Sequence, residues 1–164
     1  MKKRNPENER LKRAYFSYLR NAERKDVTTI DKVAGAILRF EGAINFKSFK
    51  KFHLEDVTKY KRQLENAKSA RSGNPLAKST IDAELRMVKA FYIFAAGQQG
   101  YKSKLDYRHA AYFNNNAKDA RVAHAKREIR FPSMEQCEYA FSKMPNATLI
   151  DRRNRAIFAL LMLT

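Results

Sequence analysis

The residues of this chain that could do chemistry are above all its lysines and arginines, whose side chains bind anions. The 164 residues include 34 Lys and Arg against 17 Asp and Glu, a formal net charge of +17. A positive field of this strength is typical of proteins that bind nucleic acid, with an anionic membrane surface or an acidic protein as the next candidates. Where these cations lie along the chain is therefore the first indication of function.

The most informative cations lie on a predicted helix that follows residue 78. Its narrow polar stripe carries Arg86 and Lys89 beside Asp82 and the small residues Ser79, Ala83 and Ala90. Small residues next to long cations allow a helix to approach a duplex closely, as a helix in the major groove must. Phosphate contacts give affinity without reading sequence, although each cation taken alone is also typical of a solvated charge. Further predicted phosphate contacts are Lys47, Lys50 and Lys51 after the second helix, and Lys118, Arg121, Lys126, Arg127 and Arg130 beyond residue 100.

Residues for catalysis or metal binding are scarce. His53, His109 and His124 have neither metal-like spacing nor a cluster of Cys or carboxylate residues around them, so we interpret them as surface or packing residues. Cys137, on an apolar helix face with no nearby His, is predicted to be a buried structural thiol. No Gly-rich phosphate loop occurs. We therefore expect no catalytic residue, no metal, no cofactor and no small-molecule substrate.

The cysteine content and the N-terminus bear on location. A single Cys excludes an internal disulfide framework and fits a reducing cytoplasm. The basic N-terminus is not followed by the apolar segment of a secretory signal, and no apolar run reaches the ~20 residues that a membrane span needs. We expect a cytoplasmic protein with no membrane partner.

The elements that position these residues are predicted to be helices, since Gly and Pro are few and apolar residues recur at i, i+3, i+4 and i+7. Four helices are expected in residues 1–100, with a loop at 69–78 before the fourth. The wide apolar side of the fourth helix predicts the central, most buried helix of a bundle. The predicted N-caps of the first, second and fourth helices are Asn5, Thr28, and Ser79 or Thr80.

The composition changes after Gly100. Residues 101–130 are rich in cations, and their apolar residues have no sustained period, which predicts a basic interdomain linker with a helix around 116–128. Two capping-box patterns, starting at Ser133 and Thr148, open two more helices. Because the last of these ends in an unbroken apolar run without a stop signal, we expect it to pack against partners beyond the end of the chain.

The order of these elements resembles that of the tyrosine recombinases, or phage-type integrases. The segments TTIDKVAGAILRF, LEDVTKYKRQL and STIDAELRMVKAFYIFA, followed by Gly100, resemble the family's core-binding domain. The segments FPSMEQCEYAF and RRNRAIFALLMLT resemble the first two helices of its catalytic domain. The resemblance covers nearly the whole chain and rests on order and spacing. It implies an all-α fold, with a four-helix, SAM-like core-binding bundle over 1–100 and a truncated N-terminal part of the catalytic domain over 131–164.

The resemblance also implies a function. The parent protein would cleave and rejoin DNA through a phosphotyrosine intermediate, without metal or ATP, for DNA integration or recombination. The family's catalytic Arg, Lys, His and Tyr would lie beyond Thr164, so this chain is expected to bind double-stranded DNA beside other recombinase protomers, not to act as an enzyme. The second and fourth helices of the family's domain face DNA, which maps contact roles onto Thr28, Thr29, Lys32, Lys78, Ser79, Arg86 and Lys89.

Two other classes stay open. A basic helical adaptor for RNA or for an acidic protein partner would explain the charge, but RNA binders of single strands usually expose aromatic side chains for stacking. Here most Phe and Tyr residues occur at core spacing. A membrane-surface helix would pair a Lys-rich face with an exposed apolar face along its length, and no predicted helix does so.

Overall fold

Helices account for the secondary structure of the chain. The computed structural model describes residues 5–70, 72–125 and 131–163, and these ranges contain seven α-helices and one 3-10 helix, with no strand among them. The all-α prediction is confirmed. Residues up to 125 form one compact unit, unit 1, and residues from 126 onward form another, unit 2. The elements are α1 (Pro6–Asn21), α2 (Val27–Ala43), α3 (Leu54–Asn66), α4 (Lys78–Ala96), the 3-10 helix (Tyr107–Phe113), α5 (Ala117–His124), α6 (Met134–Lys143) and α7 (Leu149–Leu163).

The core of unit 1 is aromatic and is organised around α4. This helix packs against α1, α2, the 3-10 helix and α5, as its wide apolar side predicts. Phe40 of α2 meets the rings of Tyr60, Tyr92 and Phe113 edge-on, at centroid distances of 5.1, 5.7 and 5.3 Å. Edge-to-face pairs of this kind add about 0.5–1.5 kcal/mol each to the burial of their area. The aromatic cluster therefore joins α2, α3, α4 and the 3-10 helix.

A buried amide fixes the start of α1 against the end of α2. Asn8 is fully buried, and its Nδ2 donates hydrogen bonds to Glu41 Oε1 at 2.8 Å and to the Lys47 carbonyl oxygen at 2.9 Å. Its Oδ1 accepts from the Phe49 amide nitrogen at 3.0 Å. The three bonds join residues 33, 39 and 41 positions apart, so this side chain specifies a tertiary contact.

A buried ion pair lies beside that amide. Lys12 Nζ is 2.6 Å from Glu41 Oε2 and 2.7 Å from Glu9 Oε1, and the Lys12 and Glu41 side chains are only 9% and 1% exposed. Burial alone would lower the pKa of Lys12, but its bonds to Glu41 and Glu9 outweigh burial and raise the pKa above its usual value. Lys12 is thus held in its charged form inside the unit.

Residues 101–125 belong to unit 1, so the prediction of an interdomain linker over 101–130 is wrong up to residue 125, and unit 1 does not end at residue 100. Tyr101, Leu105, Ala110 and Phe113 are buried in the common core. These residues lie in turns and in a 3-10 helix, which has three residues per turn, so their spacing does not follow the 3.6-residue period of an α-helix. The helix expected around 116–128 is α5; residues 126–130 lie outside the described part.

The helix starts agree with the sequence in part. Asn5 caps α1 as predicted. Thr28 is not the cap of α2: Asp26 is, and its carboxylate accepts from the Thr29 amide nitrogen at 2.7 Å. An Asp is as good an N-cap as any residue, and its use here starts the helix earlier. α4 begins before either predicted cap, with Ala77 at its N-cap and no side-chain cap bond.

Unit 2 begins its two helices as predicted. Ser133 and Gln136 form a capping box at α6, and Thr148 and Asp151 exchange backbone–side-chain bonds of 2.9 and 3.1 Å at α7. Cys137, predicted to be buried, is only half-buried. Two helices alone cannot enclose a side chain, and no described residue of this unit is buried.

The contact between α6 and α7 is made by one side of each helix. Phe141 and Phe158 stack with centroids 6.4 Å apart, and the Arg155 guanidinium lies 4.3 Å from the Phe141 ring centroid. Arg155 also donates to the Met144 carbonyl oxygen at 3.1 Å.

Among the described helices of either unit, none has the length and apolar character needed to cross a membrane. The large exposed apolar side chains of α7 include Leu149, Ile150, Ile157, Leu160 and Leu163.

Candidate nucleic-acid interface

A groove runs between α2 and α4 on the surface of unit 1. It consists of two depressions of about 340 and 270 Å³ that share Ala83 and Met87. Side chains of different sizes line it, from Ala90 and Val33 to Tyr15 of α1. Small side chains lie on its α4 wall, at Ser79, Ala83 and Ala90. The cations at its edges are Lys25, Lys32, Arg39 and Arg86.

Two of the predicted contacts, Lys32 and Arg86, lie at this groove and are available to a partner. Lys32 is exposed, and its ammonium group forms no ion pair or hydrogen bond within the described residues. Arg86 is 63% exposed, with its Nε 3.0 Å from Asp82 Oδ2, so the far side of its guanidinium faces solvent. Ser79, also predicted, is exposed on the same wall of the groove.

Arg39 is a groove cation that the sequence reasoning missed. It lies seven residues after Lys32, two helical turns along α2, and that spacing could have identified it. Its side chain is 54% exposed and forms a two-point contact with Glu84 of α4, with Arg39 Nε 3.0 Å from Glu84 Oε2. Tyr60 Oη donates to the same carboxylate at 3.3 Å. Both residues of the pair line the 340 Å³ depression.

The predicted contacts Thr28 and Thr29 are engaged in capping α2. Their hydroxyls donate to the Asp26 carboxylate at 2.6 and 3.1 Å. The Thr28 hydroxyl, followed by the backbone and hydroxyl of Thr29, lowers the pKa of Asp26 to about 2. A negative charge therefore sits next to two residues that were expected to contact phosphate, which disfavours that role for them.

The three lysines after α2 divide into two engaged cations and one available cation, and none lines the groove. Lys47 lies 3.1 Å from Asp56, and Lys50 forms an ion pair with Glu7. Lys50, with a smaller contribution from a serine hydroxyl, lowers the pKa of Glu7. Lys51 is exposed, and its ammonium group has no ion pair or hydrogen bond within the described part of the chain.

Two predicted contacts on α4 face away from the groove. Lys78 Nζ is 2.9 Å from Asp119 Oδ2 on α5, and Lys89 Nζ is 2.7 Å from Asn114 Oδ1 after the 3-10 helix. These bonds tie α4 to the segment that had been interpreted as a linker. The sequence could not indicate them, because the partners are 41 and 25 residues away.

Of the five predicted cations beyond residue 113, two lie within the described residues and three lie outside them. Lys118 and Arg121 are exposed on α5, with no ion pair in the described part. Lys126, Arg127 and Arg130 lie outside the described residues. Nearby, His124 Nε2 is 3.3 Å from the Oδ2 atom of buried Asp82, which links α5 to α4.

The histidines form no metal-binding cluster within the described residues. His53 is exposed at the start of α3. His109 stacks on Phe52 with centroids 4.3 Å apart, and its Nδ1 accepts from the Asp106 amide nitrogen. Over the ranges that the structure describes, no three His, Cys, Asp or Glu residues converge as metal ligands would.

The chain has no match among family models, curated proteins or solved structures.

Proposed function

We propose that this chain is the DNA-binding part of a site-specific tyrosine recombinase. In this proposal α1 to α4 are the SAM-like core-binding bundle, and α6 and α7 begin the catalytic domain. The whole protein would cleave and rejoin DNA through a phosphotyrosine, beside other protomers on the same site. We assign no catalytic group to this chain. The proposal is supported by the order of the helices and by the excess of positive charge.

The observation that carries the proposal is the groove between α2 and α4. Its α4 wall presents Ser79, Ala83 and Ala90, whose small side chains leave the helix accessible to a duplex. Lys32 of α2 and Arg86 of α4 stand at its edges with exposed side chains, and Arg86 uses only its Nε to pair with Asp82. Cations on both helices that border the groove are suited to the phosphates that flank a DNA groove.

Removal of the two groove cations tests the proposal. We expect Lys32→Gln with Arg86→Gln to weaken duplex binding and to reduce the slope of log K against log[salt] by about 1.8, or about 0.9 per lost phosphate contact. At 0.1 M salt this slope corresponds to about eightfold in affinity per contact. Fluorescence anisotropy of a labelled duplex across a salt series measures both quantities.

The matched control removes the same charges from another face. Lys59→Gln with Arg62→Gln changes two exposed cations of α3 that line neither depression of the groove. Under the proposal the control keeps most of the affinity and the slope. Equal losses in both double variants would mean that binding follows net charge alone, and the groove would then have no special role.

The competing function is a basic adaptor that binds RNA or an acidic protein. One observation favours its RNA form: Tyr107 and Tyr112 of the 3-10 helix are 59% and 48% exposed and could stack on bases. A matched single-stranded RNA and a structured RNA in the same titrations separate the two functions. Tighter binding to RNA than to duplex, lost on Tyr107→Ala and Tyr112→Ala, would replace the DNA proposal.

A further inference from the structure

Two lysines from different helices converge on one residue of unit 1. Lys61 Nζ of α3 donates to the Asn114 carbonyl oxygen at 2.6 Å, and Lys89 Nζ of α4 donates to Asn114 Oδ1 at 2.7 Å. Both acceptors belong to the residue that ends the 3-10 helix. The packing of three elements thus brings both ammonium groups to Asn114. We refer to Lys61, Lys89 and Asn114 as the lysine pair site.

The positive charge of this site is not compensated by carboxylates. Neither lysine forms an ion pair within the described residues, whereas Lys12, Lys47, Lys50 and Lys78 each do. Each ammonium has three N–H donors and one described acceptor, so each keeps two donors for a further ligand.

Burial of the Lys61 side chain also disfavours its charged form. Lys61 is half-buried, and desolvation lowers its pKa, with only a smaller opposing effect from Glu65 one turn along α3. A bound anion would offset this desolvation, because a nearby negative charge favours the charged form of Lys61.

A third donor lies next in the chain. Asn115 Nδ2 is buried and has no hydrogen-bond partner among the described residues, while its Oδ1 accepts from the Asn116 amide nitrogen at 3.0 Å. Buried amide nitrogens are nearly always hydrogen-bonded, so an unpaired one indicates a missing acceptor. An anion with several oxygens is the ligand class that accepts from ammonium and amide donors together.

We propose that the lysine pair site binds a phosphate group, through the ammonium groups of Lys61 and Lys89. The site is distinct from the groove between α2 and α4, and the inference does not require duplex binding. The phosphate could be a free ion or a diester of a nucleic acid, since both present the same oxygens to the donors.

NMR titration of the full chain with inorganic phosphate tests the site. We expect saturable shifts of the amide resonances of Asn114 and Asn115 and of the side-chain resonances of Lys61, with a rise in the pKa of Lys61. Lys61→Met should weaken phosphate binding at least tenfold. Lys59→Met, which removes an exposed lysine from the same helix, should leave it unchanged.

Two outcomes would overturn the proposal: no saturable shift at Asn114 in the wild-type chain, or equal weakening by Lys61→Met and Lys59→Met. The wild-type titration decides even if Lys61→Met fails to fold. Duplex titration of the same variants identifies the source of the phosphate. A loss of duplex affinity on Lys61→Met supports the site with a diester as ligand, and unchanged duplex affinity with lost phosphate binding supports it with a free ion. Phosphate binding in a chain that binds no duplex would leave this site standing and remove the proposed function.

Discussion

The buried carboxylate of Glu41 offers a sharp test of how unit 1 is stabilised. Replacement by Leu removes the acceptor of Lys12 Nζ at 2.6 Å and of Asn8 Nδ2 at 2.8 Å. Breaking a buried ion pair by removing one partner costs about 3–5 kcal/mol, because the other charge stays buried without compensation. Glu9 remains 2.7 Å from Lys12. Since it keeps part of the compensation, we expect a loss near the lower end, about 3 kcal/mol.

The double variant separates loss of the pair from loss of packing. Replacing a buried ion pair by apolar residues of similar size is often close to neutral. In both Glu41→Leu and the double variant Lys12→Met with Glu41→Leu, Asn8 Nδ2 keeps only the Lys47 carbonyl, so this cost of about 1 kcal/mol cancels between them. We therefore expect the double variant to be about 3 kcal/mol more stable than Glu41→Leu alone.

Urea unfolding at pH 7, followed by near-UV circular dichroism of the aromatic core, measures these free energies by linear extrapolation. Glu23→Leu is the control, because the pair of Glu23 with Lys25 is exposed and 3.7 Å long, and its loss should leave stability unchanged. The reasoning is refuted if the double variant is no more stable than Glu41→Leu. The cost would then come from altered packing and not from an uncompensated Lys12.

The remaining predictions concern the extent of the core and its behaviour at high pH. Phe113→Ala should destabilise unit 1 by about 3–5 kcal/mol, because Phe113 is buried in its core. Replacement of exposed Tyr112 by Ala should have little effect. If Phe113→Ala left the stability unchanged, residues 101–125 would behave as a linker. Burial raises the pKa of Tyr15 to about 12, and it also raises the pKa values of Tyr60 and Tyr92. Unfolded tyrosines ionise near pH 10, so the stability that these neutral side chains contribute is complete below pH 10 and is lost as pH rises toward 12. The tyrosinate absorbance of Tyr15, Tyr60 and Tyr92 should rise only as the chain unfolds at high pH. Ionisation of all tyrosines near pH 10 in the folded chain would contradict this.

Much of unit 1 could be predicted from the sequence because its long helices follow a 3.6-residue period. The apolar side of α4 indicated the central helix, and Asn5 indicated the start of α1. The segment after Gly100 was misread because Tyr101, Leu105 and Phe113 reach the core from turns and a short 3-10 helix. Such elements bury single side chains without a repeat that a periodicity search can detect.

The candidate interface was predictable only in part, because charge is visible in a sequence and pairing is not. Lys32 and Arg86 lie at the groove as their helix positions indicated. Lys78 and Lys50 look equally free in the sequence, yet each meets a carboxylate more than 40 residues away. Only the tertiary packing brings those partners together.

The engagement of these lysines has a consequence for how such a surface could change over evolution. Glu7, Asp56 and Asp119 each hold one lysine of unit 1 in an ion pair. Neutralising any of these acids releases a cation without introducing a new one. Under the proposed function, affinity for a polyanion is therefore tunable through carboxylates, and single substitutions that merely delete an acid are a direct route to tighter variants.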